Sequence, residues 1–468
     1  MKRISLSFVF SLFCLLSLVA QPRYIFYFIG DGMGPNEVLL AEMYRAELDG
    51  KIGRQPLCMT QFPYSGQLAT FSSSNGITDS SAAGTALASG QKTTNGMLGV
   101  LPDGSPYKSI AEILHNYGWG VGITTSVSID HATPGAFYAH TSSRSNYYEI
   151  GRQLIESEYD FFAGSTFLQP IDKANPFAPS LYQQAQDAGI AVAHGMGEME
   201  KLSQNAKRII LIPEYEGKTD DYKGKGMLPY AIDKDKEGIT LPQITKAAIG
   251  HLSNRKQFFL MVEGGAIDWA CHGNDAATVI GEVLEFDEAV AQAFKFYREH
   301  PEETLIVVTA DHETGGLALG NSDYTLNLQL LKNQRCSAGE LSHALKELQK
   351  QYGKKLKWEQ VKDLLQEKMG FYKEVEITGE EDAMLQHIFQ ESKNKRQQDV
   401  KTLYQHLSKL ADTSVELLNR KAKVGWTTRS HSAAAVPVFA IGVGAERFTG
   451  WHDNTEVSKI MLDLVEGK

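Results

Sequence analysis

Long apolar runs are almost absent from this sequence. One occurs, from Ile4 to Ala20, preceded by Lys2-Arg3 and followed by the polar Gln21-Pro22. Charge, apolar core and small residue in that order predict a secretory signal peptide over residues 1–20, cleaved after Ala20. The run is a little short for a bilayer span, and Phe13 before Cys14 makes a poor lipid-attachment site. The mature chain is therefore expected to be exported, periplasmic or extracellular, with no membrane span. Cysteine is scarce too, with 4 in 468 residues. Loss of the signal leaves Cys58, Cys271 and Cys336, an odd number that excludes a pure disulfide framework. Stability must come from a packed core, and 42% hydrophobic residues suffice for one. Excess positive charge is also missing. The formal charge of −10 argues against general nucleic-acid or anionic-membrane binding, so an anionic ligand would need local cations to attract it.

What is present is an alternation of short apolar strands with helical patterns. Tyr24–Ile29 ends in Gly30-Asp31-Gly32-Met33-Gly34 and reads as a buried strand entering a tight loop. Val121–Thr124, Ile209–Ile212, Phe258–Val262 and Leu305–Thr309 repeat the pattern. Between the last two, Val279, Val283, Phe286, Val290 and Phe294 recur at helical spacing. The expected fold is an α/β three-layer sandwich on a mainly parallel sheet, whose ligands collect at the carboxyl ends of the strands. Residues 21–468 read as one domain. Within it, residues 326–418 turn rich in Lys, Glu and Gln and read as a helical insertion, including Leu341-Leu345-Leu348, Val361-Leu364-Leu365 and Val400-Leu403-Leu407. Val436–Gly442 resumes the sheet, and Pro437 predicts an edge or a bulge there.

Several strand ends carry chemistry. Thr78-Asp79-Ser80-Ser81-Ala82-Ala83-Gly84-Thr85-Ala86 places Ser80 in the first turn of a helix, where free N–H groups and the helix dipole favour an anion. Alone, such a string is most simply an N-cap. Asp268 and His272 stand four apart after the strand ending at Glu263, and one helical turn would make them joint metal ligands. Asp311-His312 follows another strand directly, and His431 precedes the last one.

Together these residues resemble the alkaline phosphatase family. The motifs are IGDGMG at Asp31, TDSSAAGTA at Ser80, HATPGAFYAHTSSR from His131 to Arg144, VEGGAIDWACH from Val262 to His272, and TADHETGG at Asp311. They stand in the family's order across nearly the whole mature chain apart from the insertion. The resemblance implies hydrolysis of small phosphate monoesters through a phosphoserine on Ser80, with Ser81 the rival hydroxyl. It implies two zinc ions, one on Asp268, His272 and His431, the other on Asp31, Asp311, His312 and the Ser80 oxygen. It further implies one magnesium ion on Asp31, Thr133 and Glu263, with Arg144 gripping the phosphoryl oxygens and Asp79 positioning Arg144. His131 and Trp269 occupy positions that vary in the family, which leaves the third metal open. A homodimer is compatible with the family, although no sequence feature marks an interface. Two alternatives stay open: a phosphodiesterase of the same superfamily, and a metal-dependent phosphate binder without turnover.

Overall fold

The computed structural model describes residues 21–203, 205–214, 226–233, 238–394 and 399–468. The expected signal peptide lies outside these residues. The organising strand is β1 (Tyr24–Ile29), whose neighbouring side chains are apolar on both faces because both faces are covered. Phe28 meets Phe286 of the Ala276–Glu299 helix edge-on at 5.9 Å between ring centroids. Tyr27 points the opposite way, onto Phe137 at 5.9 Å. A strand buried on two sides must read as a continuous apolar run rather than an alternating one.

Around β1 the chain builds a sheet of ten strands. The others are β2 (Tyr64–Ala69), β3 (Gly120–Thr125), β4 (Phe161–Ala163), β5 (Ala191–His194), β6 (Ile209–Ile212), β7 (Phe258–Glu263), β8 (Thr304–Thr309), Val436–Gly442 and Gly450–Asp453. Their order is Gly450–Asp453, β2, Val436–Gly442, β8, β1, β7, β3, β4, β6, β5. From β8 to β5 every adjacent pair is parallel. The Val436–Gly442 strand alone runs against its neighbours. This is the expected three-layer α/β arrangement.

Register decides where the site lies. Ile29 stands beside both Glu263 and Thr309, and Thr125 stands beside Glu263. Four adjacent strands, β8, β1, β7 and β3, therefore end level with one another. Asp31 and Asp311 in the loops after β1 and β8, and Glu263 at the end of β7, thereby come into one neighbourhood.

Two local readings need correction. Val436–Gly442 is not an edge strand, since it lies between β2 and β8. Pro437 is tolerated because it is the second residue, where the pairing with β8 has not yet begun, and its carbonyl accepts from the Thr309 hydroxyl at 2.8 Å. The triplet Val400-Leu403-Leu407 is not helical either. Val400–Lys401 pairs with His406–Leu407 in a short hairpin, closed by Thr402 N–H to the Gln405 carbonyl at 2.9 Å and Gln405 N–H to Thr402 Oγ1 at 2.9 Å. A threonine that satisfies a turn from within competes with helix propagation. The surrounding segment is helical as expected, over Ala338–Tyr352, Trp358–Met369, Gly379–Lys393 and Lys409–Lys421.

All three cysteines in the described residues are free, and Cys271 is buried. No helix among the described residues is long and apolar enough to cross a membrane. Because Phe286 fills the space between β1 and its covering helix, Phe286→Ala should cost about 3–5 kcal/mol in chemical denaturation. A loss below about 1 kcal/mol would mean that the helix holds its place without this ring.

Candidate active site

The Ser80–Ser89 helix begins as its sequence requires. Asp79 is the N-cap, and its carboxylate accepts from Ala82 N–H at 3.0 Å. Ser80 is thus the first helical residue, fully buried, with Oγ 3.3 Å from His312 Nε2. Ser81 faces elsewhere, for its hydroxyl donates to Asp79 Oδ2 at 2.7 Å. The same Asp79 oxygen accepts from Arg144 Nη1 at 3.1 Å and Gly96 N–H at 3.1 Å. Burial would raise the Asp79 pKa, but Arg144 and these hydrogen bonds hold it below its ordinary value. Arg144 is fixed in turn, with Nη2 3.5 Å from His131 Nε2.

Beside Ser80 lie three groups of side chains whose ligand atoms fall within 4.8 Å of one another. Asp268, His272 and His431 form the first, Asp31, Asp311 and His312 the second, and Asp31, His131 and Glu263 the third. Asp31 belongs to two of them. Asp268 and His272 share a face of the short Ala266–His272 helix, with Asp268 Oδ2 3.3 Å from His272 Nε2. The β1 loop can pass this helix because Gly32 has a φ of +72°, and a Cβ there would lie 2.9 Å from Asp268 Cα. The Thr133 hydroxyl, expected beside Glu263, donates to Asp311 Oδ2 at 3.5 Å. His131 is nearer to that group than the motif alone required.

The imidazoles are held from behind. His272 Nδ1–H donates to the Arg429 carbonyl at 2.6 Å, and His431 Nδ1–H to the Thr78 carbonyl at 2.8 Å. A carbonyl can only accept, so both Nδ1 atoms carry the proton. His312 follows by one further step. The Thr314 hydroxyl spends its hydrogen on Asp268 Oδ1 at 2.6 Å, which leaves its oxygen to accept from His312 Nδ1 at 3.2 Å. In the neutral ring each Nε2 can then offer its lone pair on the side of the carboxylates, the arrangement by which histidines hold metals.

Charge in this space is unbalanced. Asp31, Asp268, Asp311 and Glu263 are all fully buried. Burial first, and then the neighbouring carboxylates, raise Asp31 and Asp311 well above the ordinary range. Glu263 is pushed up to about 7 by burial, although hydrogen bonds from Thr125 and Thr133 oppose the shift. Asp268 goes the other way: burial would raise it, but His272, His431 and His312 pull it far down. Both Asp31 oxygens, Glu263 Oε1, Asp268 Oδ2, His131 Nδ1 and the Nε2 atoms of His272 and His431 are buried without a hydrogen-bond partner. Buried acceptors clustered without donors are costly unless cations satisfy them. The donor sets fit: imidazole with carboxylate suits zinc, and an oxygen-rich group suits magnesium.

Every residue named from the sequence lies in this neighbourhood. Three that matter were not singled out. Thr314 and Thr125 stand inside or beside quoted motifs, where a buried threonine next to ligands is a readable signal. Tyr404 had none. It comes from the insertion's hairpin and stacks on Trp269 at 4.2 Å between centroids and 9° between planes.

Comparison with known proteins agrees with this geometry. The family model described as alkaline phosphatase matches residues 23–160 and 221–466. The chain is 29% identical over 462 residues to alkaline phosphatase 4 of Bacillus subtilis, covering 96% of this chain and 89% of the relative. It is similar to a cold-active alkaline phosphatase from the psychrophile Shewanella sp., with 26% identity, a TM-score of 0.78, and coverage of 94% and 99% of the two chains. The Thermus thermophilus alkaline phosphatase gives 25% identity and a TM-score of 0.76 over 99% and 96%. With the model matched over most of the chain, the protein belongs to the alkaline phosphatase family, which makes it a metal-dependent phosphomonoesterase.

Proposed function

We propose that the chain is an exported alkaline phosphatase that works through a phosphoserine on Ser80, with two zinc ions and one magnesium ion. The observation that carries this reading is the set of three linked ligand groups beside a serine at a helix N-terminus. Asp268, His272 and His431 would hold one zinc, and Asp31, Asp311, His312 and Ser80 Oγ the other. Asp31, Glu263 and Thr133 would hold magnesium, with His131 a further ligand candidate. Bound there, the cations would favour the ionised serine and offset the charge on the attacking and departing oxygens.

The chain's own groups supply the rest. Arg144 donates two N–H groups to non-bridging phosphoryl oxygens, and Asp79 keeps its planar fork oriented. Ser80 Oγ attacks phosphorus opposite the ester oxygen. The P–O bond to the leaving group breaks, and the alkoxide departs with the bonding pair and takes a proton from water to become the alcohol. The first-turn N–H groups of the helix favour the negative charge that develops. Water then attacks the phosphoserine from the side the alcohol has left, freeing Ser80 and releasing phosphate. Recognition confined to the phosphoryl group predicts broad monoester specificity, since little of the alcohol is read.

Ser80→Ala should keep the bound metal and lose activity on p-nitrophenyl phosphate by about 10³-fold or more. The wild type should prefer that monoester to bis-p-nitrophenyl phosphate and lose both activities to a chelator. Diester preference would favour the phosphodiesterase alternative, and metal binding without turnover the phosphate-binder alternative.

Metal should also control stability in a pH-dependent way. Glu263 has a folded pKa near 7 against an ordinary 4.5. In the metal-free chain its contribution is fully present below the ordinary value and is lost as pH rises through about 7. The stabilisation by metal, RT ln(1 + [L]/Kd) at each pH, should therefore grow from pH 5 to pH 8 as affinity rises, and with it the gap in Tm between metal-loaded and stripped protein. Calorimetry at both pH values checks it, and a constant gap would mean that the carboxylates do not exchange protons for metal.

Residues 1–20 would be removed on export. N-terminal sequencing of the mature protein should begin at Gln21, and a retained Met1 would refute the signal peptide.

A further inference from the structure

Four helices and a hairpin make up most of the insertion between the Leu317–Leu319 and Val424–Trp426 strands. Among the described residues of the insertion, the hairpin brings a ring against the ligand groups. It is anchored at the end of its turn and just beyond it: Gln405 Nε2 donates to the Tyr230 hydroxyl at 2.8 Å, and Ser408 N–H to Ser342 Oγ at 2.7 Å. Thr402 is buried, while Leu403, the next residue, is 60% exposed. Tyr404 then turns inward. Its ring lies flat on Trp269, meets His272 at 5.4 Å and His131 at 6.0 Å, and so stands over the space between the first and third ligand groups.

The hydroxyl is the informative part. Tyr404 Oη is buried, yet no described residue bonds to it. Its ring could have packed on Trp269 equally well as phenylalanine, so packing does not account for the oxygen. A phenol is neutral at ordinary pH and donates one hydrogen bond. Arg144 is a donor as well. Both stand beside His131, the Tyr404 ring at 6.0 Å and Arg144 Nη2 at 3.5 Å, and two donors that close without a bond between them call for an acceptor, which an oxyanion supplies.

We propose that Tyr404 is a substrate-binding residue whose hydroxyl donates to an oxygen of the phosphoryl group held by Arg144, so that bound substrate ties the insertion to the sheet. The proposal rests on reading the site as a phosphomonoesterase centre. Trp269 becomes a positioning residue, since its indole face sets the plane of the Tyr404 ring. The hairpin, which no motif covers, then contributes directly to affinity.

The test uses the full chain loaded with zinc and magnesium, and inorganic phosphate as the probe. Calorimetric titration should find that Tyr404→Phe, which keeps the ring and the stack, weakens phosphate binding about tenfold. Metal content and Tm should stay at wild-type values. Hydrogen exchange gives a second readout. Phosphate should slow amide exchange across residues 399–408 in the wild type and much less in the variant. Phosphate affinity within about twofold of wild type, with hairpin protection intact, would overturn the proposal and leave Tyr404 a packing residue. Arg144→Ala separates the two readings. If the wild type binds phosphate no better than Arg144→Ala, the reading of the site fails. If it binds better and only Tyr404→Phe has no effect, this proposal alone fails.

Discussion

Crowding of like charge is the constraint on which the rest of this structure depends. Asp31, Asp268, Asp311 and Glu263 are fully buried within one small space, and no lysine or arginine among the described residues forms an ion pair with any of them. Arg144 is the nearest candidate, but its guanidinium bonds Asp79 and lies against His131. Isolated buried carboxylates would each cost several kcal/mol. A fold tolerates such an arrangement only where resident cations offset it, and the parallel sheet is what makes the arrangement possible. Level strand ends on β8, β1, β7 and β3 deliver the acidic residues from separate parts of the chain. A small shift in strand register would disperse them.

Order in this crowd comes from the groups behind it. Backbone carbonyls of Arg429 and Thr78 and the hydroxyl of Thr314 take the Nδ1 protons of the three histidines. Each bond fixes a tautomer and a ring orientation at once. Thr314 does more than the carbonyls, because it donates to Asp268 while accepting from His312. One hydroxyl thereby links a ligand of the first group to a ligand of the second. His312 and His431 stack at 3.5 Å between centroids, a separation that two charged rings would not tolerate. Burial lowers the pKa of both, consistent with neutral imidazoles offering lone pairs.

How much of this was legible follows from what kind of constraint each residue obeys. Tyr24–Ile29 and Phe258–Glu263 were readable because a strand buried on two faces has to be apolar throughout. Ser80 was readable because Asp79 caps a helix rich in alanine, and Asp268 with His272 because one helical turn separates them. The ligand set as a whole was readable only through motifs that hold residues far apart in sequence to a common chemistry. Pro437 misled because the rule that keeps proline at edges concerns its missing N–H, and the structure meets that rule by starting the pairing with β8 only at Phe439. Val400-Leu403-Leu407 misled because spacing alone does not separate a helical face from a hairpin whose turn is tied by Thr402. Tyr404 was invisible for a deeper reason. Its importance depends on where a polar, lysine-rich segment folds back, and nothing local to that segment encodes the Trp269 ring it meets.

His272 shows how the charge problem and the order behind it combine. Burial alone would lower its pKa, yet Asp268 raises it above the ordinary histidine value, whereas His312 and His431 are lowered. The difference follows from geometry. Asp268 Oδ2 stands 3.3 Å from His272 Nε2, and Oδ1 is 3.7 Å from His431. Without a cation, a proton on His272 is the cheapest positive charge the first group can acquire. With Nδ1 already donating to Arg429, that extra proton must sit on Nε2, the same atom that would bind metal. Proton and metal therefore compete for one lone pair. Metal uptake at this group would have to expel that proton, so acid would oppose loading here as it would at the carboxylates.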